Sequence, residues 1–347
     1  MSHLRIALLP GDGIGPEVVN EAVKVLQELE AHSDDLVFEF GQFSVGADEY
    51  LKSGDPLPPA TFEAVQSYDA ILLGAMGLPN VRWPDGTEMA PQLDLREKLD
   101  LYNGPRPIRL YHESLTPLKG YGAGEIDFVI VRENTEGLFW SRKESHDPAA
   151  DWVSNELRIS RKGAERISRA AFVEARRRRN KVSLVDKANV LPAMAYFRAI
   201  FDEIAAEFPD VEAEHVYVDA AALFLVQRPE TFDVIVTENA FGDILSDLAA
   251  GIVGGMGMAP SGDIGQKHAV FQPSHGSAPD IAGQGIANPI ATILSAAMML
   301  DWLGHESEGH AIRGAVAKTL EDTANRTRDL GGETSTVEMG ERIIGNL

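Results

Sequence analysis

Three arginines stand where a guanidinium could meet an anion: Arg96 in LDLREKL, Arg106 in GPRPIR, and Arg132 in VIVRENTEG. The planar fork of arginine matches a carboxylate through two parallel hydrogen bonds. Three of them converging would hold a dicarboxylate; taken singly, each reads as an ordinary surface arginine, and spacing alone does not supply convergence. In FGDILSDL, Asp243 and Asp247 lie four residues apart and share one helical face. Asp243 is expected in the first turn, where an acid suits the dipole. Ile244, Leu245 and Leu248 make the helix apolar, so the two acids need a cation unless this face is solvated. Asp219, expected to close a strand over 215–218, is a candidate third oxygen ligand. Carboxylates with water suit Mg2+ or Mn2+, not zinc. Lys187 in VDKANVL reads either as an exposed lysine or, beside a metal and arginines, as a base with lowered proton affinity that shuttles a proton.

Two glycine-rich stretches invite a nucleotide. GDGIGPEV has the wrong spacing for a dinucleotide fingerprint and carries Glu17 at the helix start; it reads as a tight strand–helix turn with Pro16 in the first helical turn. HGSAPDIAGQGIANP, 275–289, has small residues that allow close backbone approach to a ligand. Asp280 there could accept from ribose hydroxyls and would repel a 2′-phosphate. His275 by itself reads as a structural histidine. ARRRRN, 175–180, reads as a solvated helix end where cations favour the dipole.

Elements must position these groups. Apolar runs predict strands over 4–9, 38–43, 70–73, 128–131, 181–184, 215–218, 234–236 and 269–271. Helical spacing predicts helices over 17–29, 96–101, 162–179, 192–208, 242–253 and 289–303. Residues 77–91 read as a loop, 103–105 as a turn, and 153–159 as an extended arm. The alternation predicts an α/β protein with a parallel or mixed sheet under helices. No flexible linker separates the halves, so they are expected to share strands or exchange chain.

Composition narrows the function. The 347 residues exceed a comfortable single core. A net charge of −22, from 31 basic and 53 acidic residues, disfavours nucleic acid. A few buried arginines can still reverse the field locally for an anionic small substrate. Zero cysteines exclude disulfides, thiolate catalysis and cysteine zinc sites, and fit a reducing cytoplasm. No signal-peptide pattern or membrane-length apolar run is read, so a cytoplasmic protein without membrane contact is expected.

The motifs occur together, in one order, along essentially the whole chain: LLPGDGIGPEV, LDLREKLDLY with RPIR, VRENTEG, VDKANVL, VDA, NAFGDILSDLAAG and HGSAPDIAGQGIANPIATILSAAMMLDWLG. In this the sequence resembles the β-decarboxylating dehydrogenases, which act on 3-isopropylmalate, isocitrate, homoisocitrate and tartrate or D-malate. The resemblance implies an isopropylmalate dehydrogenase-like two-domain fold that is not Rossmann. A large domain of 1–101 plus 254–347 would carry the cofactor loop; a small domain of 102–253 would carry a dimer arm and interface helices. It implies a homodimer with shared active sites. Arg96, Arg106 and Arg132 would clamp substrate carboxylates; Asp219, Asp243 and Asp247 would bind metal. Lys187 would be the catalytic lysine and, with Asp219, would reach the site from the other subunit. NAD would lie along His275, Gly276, Ser277, Ala278, Asp280, Ile281 and Asn288, with Asn189 near the nicotinamide. Asp280-Ile281 resembles the NAD version, since NADP members of the isocitrate group commonly carry Lys-Tyr.

The sequence also departs from the family pattern. Phe139 stands where a tyrosine usually protonates the enolate left by decarboxylation, and a phenyl ring has no proton to give. Ser141, groups of the partner subunit or water are the expected substitutes. Oxidation without decarboxylation, and a non-catalytic diacid-binding homologue, stand as alternatives. Met89-Ala90-Pro91-Gln92-Leu93 fits neither the isocitrate nor the isopropylmalate pattern, while the C-terminal segment is nearest the tartrate/D-malate group. Asn103-Gly104-Pro105 replaces the usual hydrophobic residues, and Gln272 stands where an acid is common.

Overall fold

The computed structural model describes every residue except 1, 34, 145, 146 and 148. The strands are β1 (Ser2–Gly11), β2 (Leu36–Gln42), β3 (Ala70–Ala75), β4 (Asn103–Arg109), β5 (Asp127–Glu133), β6 (Lys181–Asp186), β7 (Glu212–Tyr217), β8 (Val234–Thr237), β9 (Pro260–Ile264) and β10 (Ala269–Pro273). They form one sheet in the order β2-β1-β3-β10-β9-β4-β5-β8-β6-β7. The helices are α1 (Gly15–Ala31), α2 (Ala47–Ser53), α3 (Pro59–Val65), α4 (Pro91–Lys98), α5 (Arg161–Arg176), α6 (Pro192–Ala205), α7 (Val218–Gln227), α8 (Asn239–Gly251), α9 (Ile290–Trp302), α10 (Glu306–Glu321) and α11 (Thr336–Ile344).

The sheet is mixed. β9 runs antiparallel to β10, and β4 antiparallel to β5. β3 is buried along its whole length, as a central strand with helical cover on both faces must be. β9 and β4 meet through one bridged pair, Asn103 with Ile264. The halves therefore share a sheet, as the missing linker suggested, through a narrow seam. Pro105 and Pro107 of β4 have no N–H to give a further strand. The cleft described below opens over this seam.

The structure corrects several expectations. Residues 103–105 are not a turn but the start of β4, fully paired with β5. The helix bearing Arg96 starts at Pro91, not at 96, with proline at its first position where no N–H is needed. Asp219 does not close a strand: it lies in the first turn of α7. Asp243 is not in the first turn of its helix. α8 begins at Asn239, and Glu238 caps it by accepting from the Phe241 amide at 2.6 Å. The arginine run is a largely exposed helix end, as expected, but two of its members also make tertiary bonds. Arg178 bonds Asp127 at 2.5 Å and Asp233 at 2.9 Å, and Arg179 donates to the Phe232 carbonyl at 2.6 Å. These bonds clamp α5 to the starts of β5 and β8.

Candidate active site

A cleft of about 270 Å3 lies over the seam, lined by Arg96, Arg106, Arg132, Phe139, Asp243, Asp247 and Gln272 among others. All three arginines are buried, Arg132 to 1% exposure. They converge because β4 and β5 lie side by side and α4 arrives from the other half of the sheet. Arg132 holds α8: its Nε and Nη2 donate to Asn239 Oδ1 at 2.9 and 2.7 Å, and its Nη1 pairs with Asp243. The Phe139 ring lies 5.5 Å from its guanidinium. Gly242 makes this packing possible, since a Cβ there would come within 2.7 Å of Arg132 Cγ. Arg106 donates to Ser274 Oγ at 2.8 Å, while its Nε is buried without a partner. Arg96 donates through Nε to Asp263 at 2.8 Å.

The electrostatics ask for both an anion and a cation. Burial, then the charges of Arg96 and Arg106, push the Arg132 guanidinium down to about 9. Burial and Arg96 also lower Arg106. Guanidinium stays protonated at neutral pH, so the strain is relieved by an incoming anion. Opposite them, burial and then the Asp243 charge raise the Asp247 carboxyl. A cation placed between the two acids would favour their charged forms. The pair fits Mg2+ or Mn2+ as an oxygen donor set, but as two ligands. No group of three His, Cys, Asp or Glu side chains is gathered among the described residues.

Asp219 is the ligand that does not join them. It is exposed and pairs instead with Lys187, Nζ to Oδ1 at 2.5 Å, which lowers its carboxyl. Parallel strands β6 and β7 end side by side, which brings these two residues together. Neither lines the cleft of this chain. Asn189, just past Lys187, is exposed and lines neither the cleft nor the cavity beside it. Within one chain, the arginines and α8 acids form one group, and Lys187 with Asp219 another.

Beside the cleft, Ile14, His275, Ile281, Ile286, Ala287, Asn288 and Asp329 line a largely apolar cavity of about 320 Å3. His275 borders both spaces. Its ring is held below its ordinary pKa by burial, and its Nε2 has no partner among the described residues. Gly276 lines the cleft, and Ala278 takes φ +36. Asp280 is exposed. Ser277 Oγ donates to the Gly77 carbonyl, and the Ser277 carbonyl accepts from the Ile14 amide at 2.8 Å. Gly13 is required there, because a Cβ would sit 2.0 Å from that carbonyl. GDGIG is thus a tight turn, as its spacing indicated. Its buried Asp12 accepts from the amides of Ala47, Asp48 and Gly77 at 2.8, 2.9 and 2.7 Å, tying its own turn to the segments at 47–48 and 77.

Ser141 does not replace the missing phenol. It is buried away from the cleft, and its Oγ accepts from Asn155 Nδ2 and the Glu156 amide at 3.1 and 3.0 Å. Sequence reasoning missed Asn239, Asp263, Ser274 and Asp12 as supports of the site. Only Asp12 left a signal, an acid between glycines at a strand end. The others are defined by partners far along the chain.

The chain matches the isocitrate/isopropylmalate dehydrogenase family over residues 5–343. It is 42% identical to 3-isopropylmalate dehydrogenase of Aquifex aeolicus, covering 100% of this chain and 98% of that one. It is 45% identical to 3-isopropylmalate dehydrogenase of Moorella thermoacetica, covering 99% of each. Among solved structures, isocitrate dehydrogenase from Methylococcus capsulatus superposes with a TM-score of 0.90 at 39% identity, over 99% of each chain. A β-decarboxylating dehydrogenase from Thermococcus kodakarensis gives 0.83 at 40% identity, over 99% of this chain and 96% of that one.

Proposed function

The chain belongs to the isocitrate/isopropylmalate dehydrogenase family and is a dehydrogenase acting on a CH–OH group with NAD and Mg2+ or Mn2+; on that premise we propose that it oxidises a malate-like 2-hydroxy diacid and decarboxylates the product. The observation that carries this reading is the convergence of three buried guanidinium groups opposite Asp243 and Asp247 in one cleft. Arg96, Arg106 and Arg132 bind and orient the substrate's carboxylates. Asp243 and Asp247 would hold the divalent cation, which when bound supplies Lewis-acid polarisation of the substrate oxygen, and NAD along the 275–288 loop supplies the hydride acceptor. As the alcohol carbon gives up hydride, Lys187 takes the hydroxyl proton. Loss of CO2 from the resulting β-keto acid leaves its electron pair as an enolate, which takes a proton at carbon to give the ketone. Phe139 supplies no proton, so water serves that step.

Lys187 and Asp219 would come from a second copy. Supporting this, Leu223 and Val226 share the exposed face of α7 with Asp219, at 51% and 47% exposure, and Ile244 of α8 is 68% exposed. An apolar patch of that kind beside two unconsumed polar groups suits a homodimer. We assign the halves flanking the β9–β4 seam to two domains, 1–101 with 254–347 and 102–253.

The substituent on the substrate is the finer question. Gln92 lies one turn before Arg96 on α4, lines the cleft, and has a buried Oε1 with no donor among the described residues. A buried acceptor favours a hydroxyl over a branched alkyl group. We therefore place tartrate, which carries that hydroxyl, ahead of 3-isopropylmalate, which carries the alkyl group; D-malate carries neither. Steady-state assays with Mn2+ and NAD across these diacids test both levels. Gln92→Leu should shift the kcat/KM ratio toward 3-isopropylmalate by about tenfold or more. Wild-type preference for 3-isopropylmalate would overturn the substituent reading alone; no NADH from any diacid would overturn the whole.

A second reading, oxidation without decarboxylation, is favoured by Phe139 and by the seclusion of Ser141. Release of NADH without CO2 would establish it.

A further inference from the structure

Asp263 of β9 is 1% exposed and belongs to no motif. Its carboxylate is nonetheless the meeting point of three donors from three places. Oδ2 accepts from Arg96 Nε of α4 at 2.8 Å and from Gln272 Nε2 of β10 at 2.6 Å. Oδ1 accepts from Asn134 Nδ2, in the loop after β5, at 2.7 Å. The first two contacts lie on one side of the β9–β4 seam, the third on the other. Gly104 of β4 keeps that third contact possible, because a Cβ there would come within 2.6 Å of both Asn134 side-chain polar atoms. The unusual Asn103-Gly104-Pro105 thus has a use: it clears room for the bridge. Arg96 is held by its Nε edge, so its terminal nitrogens, which have no protein partner among the described residues, are left for the cleft.

Charge completes the picture. Arg96, Arg106 and Arg132 face Asp243, Asp247 and Asp263, three cations against three carboxylates. A dicarboxylate bound with a divalent cation keeps that balance. Gln272, where an acid would be common, is neutral, and the carboxylate stands diagonally from it on the β9–β10 ladder, on the residue paired with Val270.

We propose that Asp263 is a positioning residue, which sets Arg96 for a substrate carboxylate and ties the two halves of the sheet through Asn134, in place of an acid at 272. This rests on the diacid reading above. Gln272 stands one hydrogen bond, 2.6 Å, from the Asp263 carboxylate, so a carboxylate at 272 would return the charge to the same cluster.

The test is calorimetric titration of D-malate with Mn2+ present into wild type, Asp263→Asn, Asp263→Ser and Asp263→Ser/Gln272→Glu, with NAD affinity and melting temperature measured alongside. Asp263→Asn and Asp263→Ser should each weaken D-malate binding by about tenfold or more, as loss of a charged hydrogen-bond partner does. NAD affinity should stay unchanged, and the double variant should return to within roughly threefold of wild type. If Asp263→Asn does not fold, the Asp263→Ser pair with and without Gln272→Glu carries the comparison. Equal D-malate affinity in the single variants would overturn the proposal. So would recovery of melting temperature in the double variant without recovery of binding. Failure of wild type to bind D-malate, the tartrates and 3-isopropylmalate would instead sink the diacid reading, and this inference with it.

Discussion

Gly242→Ala separates the stability of this protein from its substrate binding. The new Cβ would lie 2.7 Å from Arg132 Cγ and 2.8 Å from its Cβ. Carbon atoms need about 3.5–4.0 Å, so one partner must move by roughly 1 Å. The contact is at the root of the Arg132 side chain, which is anchored at its tip to Asn239 and Asp243 of the same helix. A guanidinium displaced by that amount loses a charged hydrogen bond to substrate, about 1.5–3 kcal/mol. That corresponds to roughly 10- to 150-fold in KM. Stability changes less. Removing a helical glycine gains about 1 kcal/mol, against an overpacking cost of about 1–3 kcal/mol. The control is Gly251→Ala in the same helix, where a Cβ meets nothing within 4 Å. It should leave KM unchanged. Steady-state kinetics and thermal melting of both variants decide the matter. KM for the diacid within twofold of wild type in Gly242→Ala, or an equal loss in Gly251→Ala, would refute the reasoning.

Three further expectations follow from other parts of the molecule. Replacing Asp280 with Lys and Ile281 with Tyr together should raise the kcat/KM for NADP relative to NAD by about tenfold or more; an unchanged ratio would remove Asp280 from ribose recognition. Ile244→Glu, on the exposed apolar face of α8, should yield monomers by light scattering and lose NADH formation. Full activity as a monomer would place Lys187 and Asp219 in the cleft of their own chain. Burial raises Glu133 to about 7, above an unfolded glutamate at about 4.3. A raised acid favours the native state most below that unfolded value, and the contribution is lost as pH rises through about 7. The melting temperature should therefore decline across this window in wild type and less steeply in Glu133→Gln; parallel curves would contradict the assignment.

Some of this was legible in the sequence because it is local chemistry. Arg132 follows an apolar strand, and Asp243 and Asp247 share a helical face, so the strand end and the shared helix face follow from pattern alone. The strands and helices with clean periodicity were readable for the same reason. β4 was not, because Pro105 and Pro107 imitate a turn while β5 supplies the pairing that makes them a strand. α7 was hidden by the β-branched residues leading into Val218. Ile244 looked like core by helical spacing and is exposed, because α8 presents that side away from the sheet. Asp263 carried no signal at all: its partners Arg96 and Asn134 lie 167 and 129 residues away, and only the fold brings them together. Lys187 and Asp219 were expected by resemblance as site residues, and the structure pairs them with each other rather than with the arginines.

The most direct test measures NADH and CO2 together, with Mn2+ and NAD, on D-malate, the tartrates and 3-isopropylmalate. The account predicts equal amounts of both from at least one of these diacids, with CO2 formed although Phe139 has no proton to give. NADH without CO2 would make the enzyme a dehydrogenase of the alcohol alone, and neither product from any diacid would contradict the assignment of the arginine cleft.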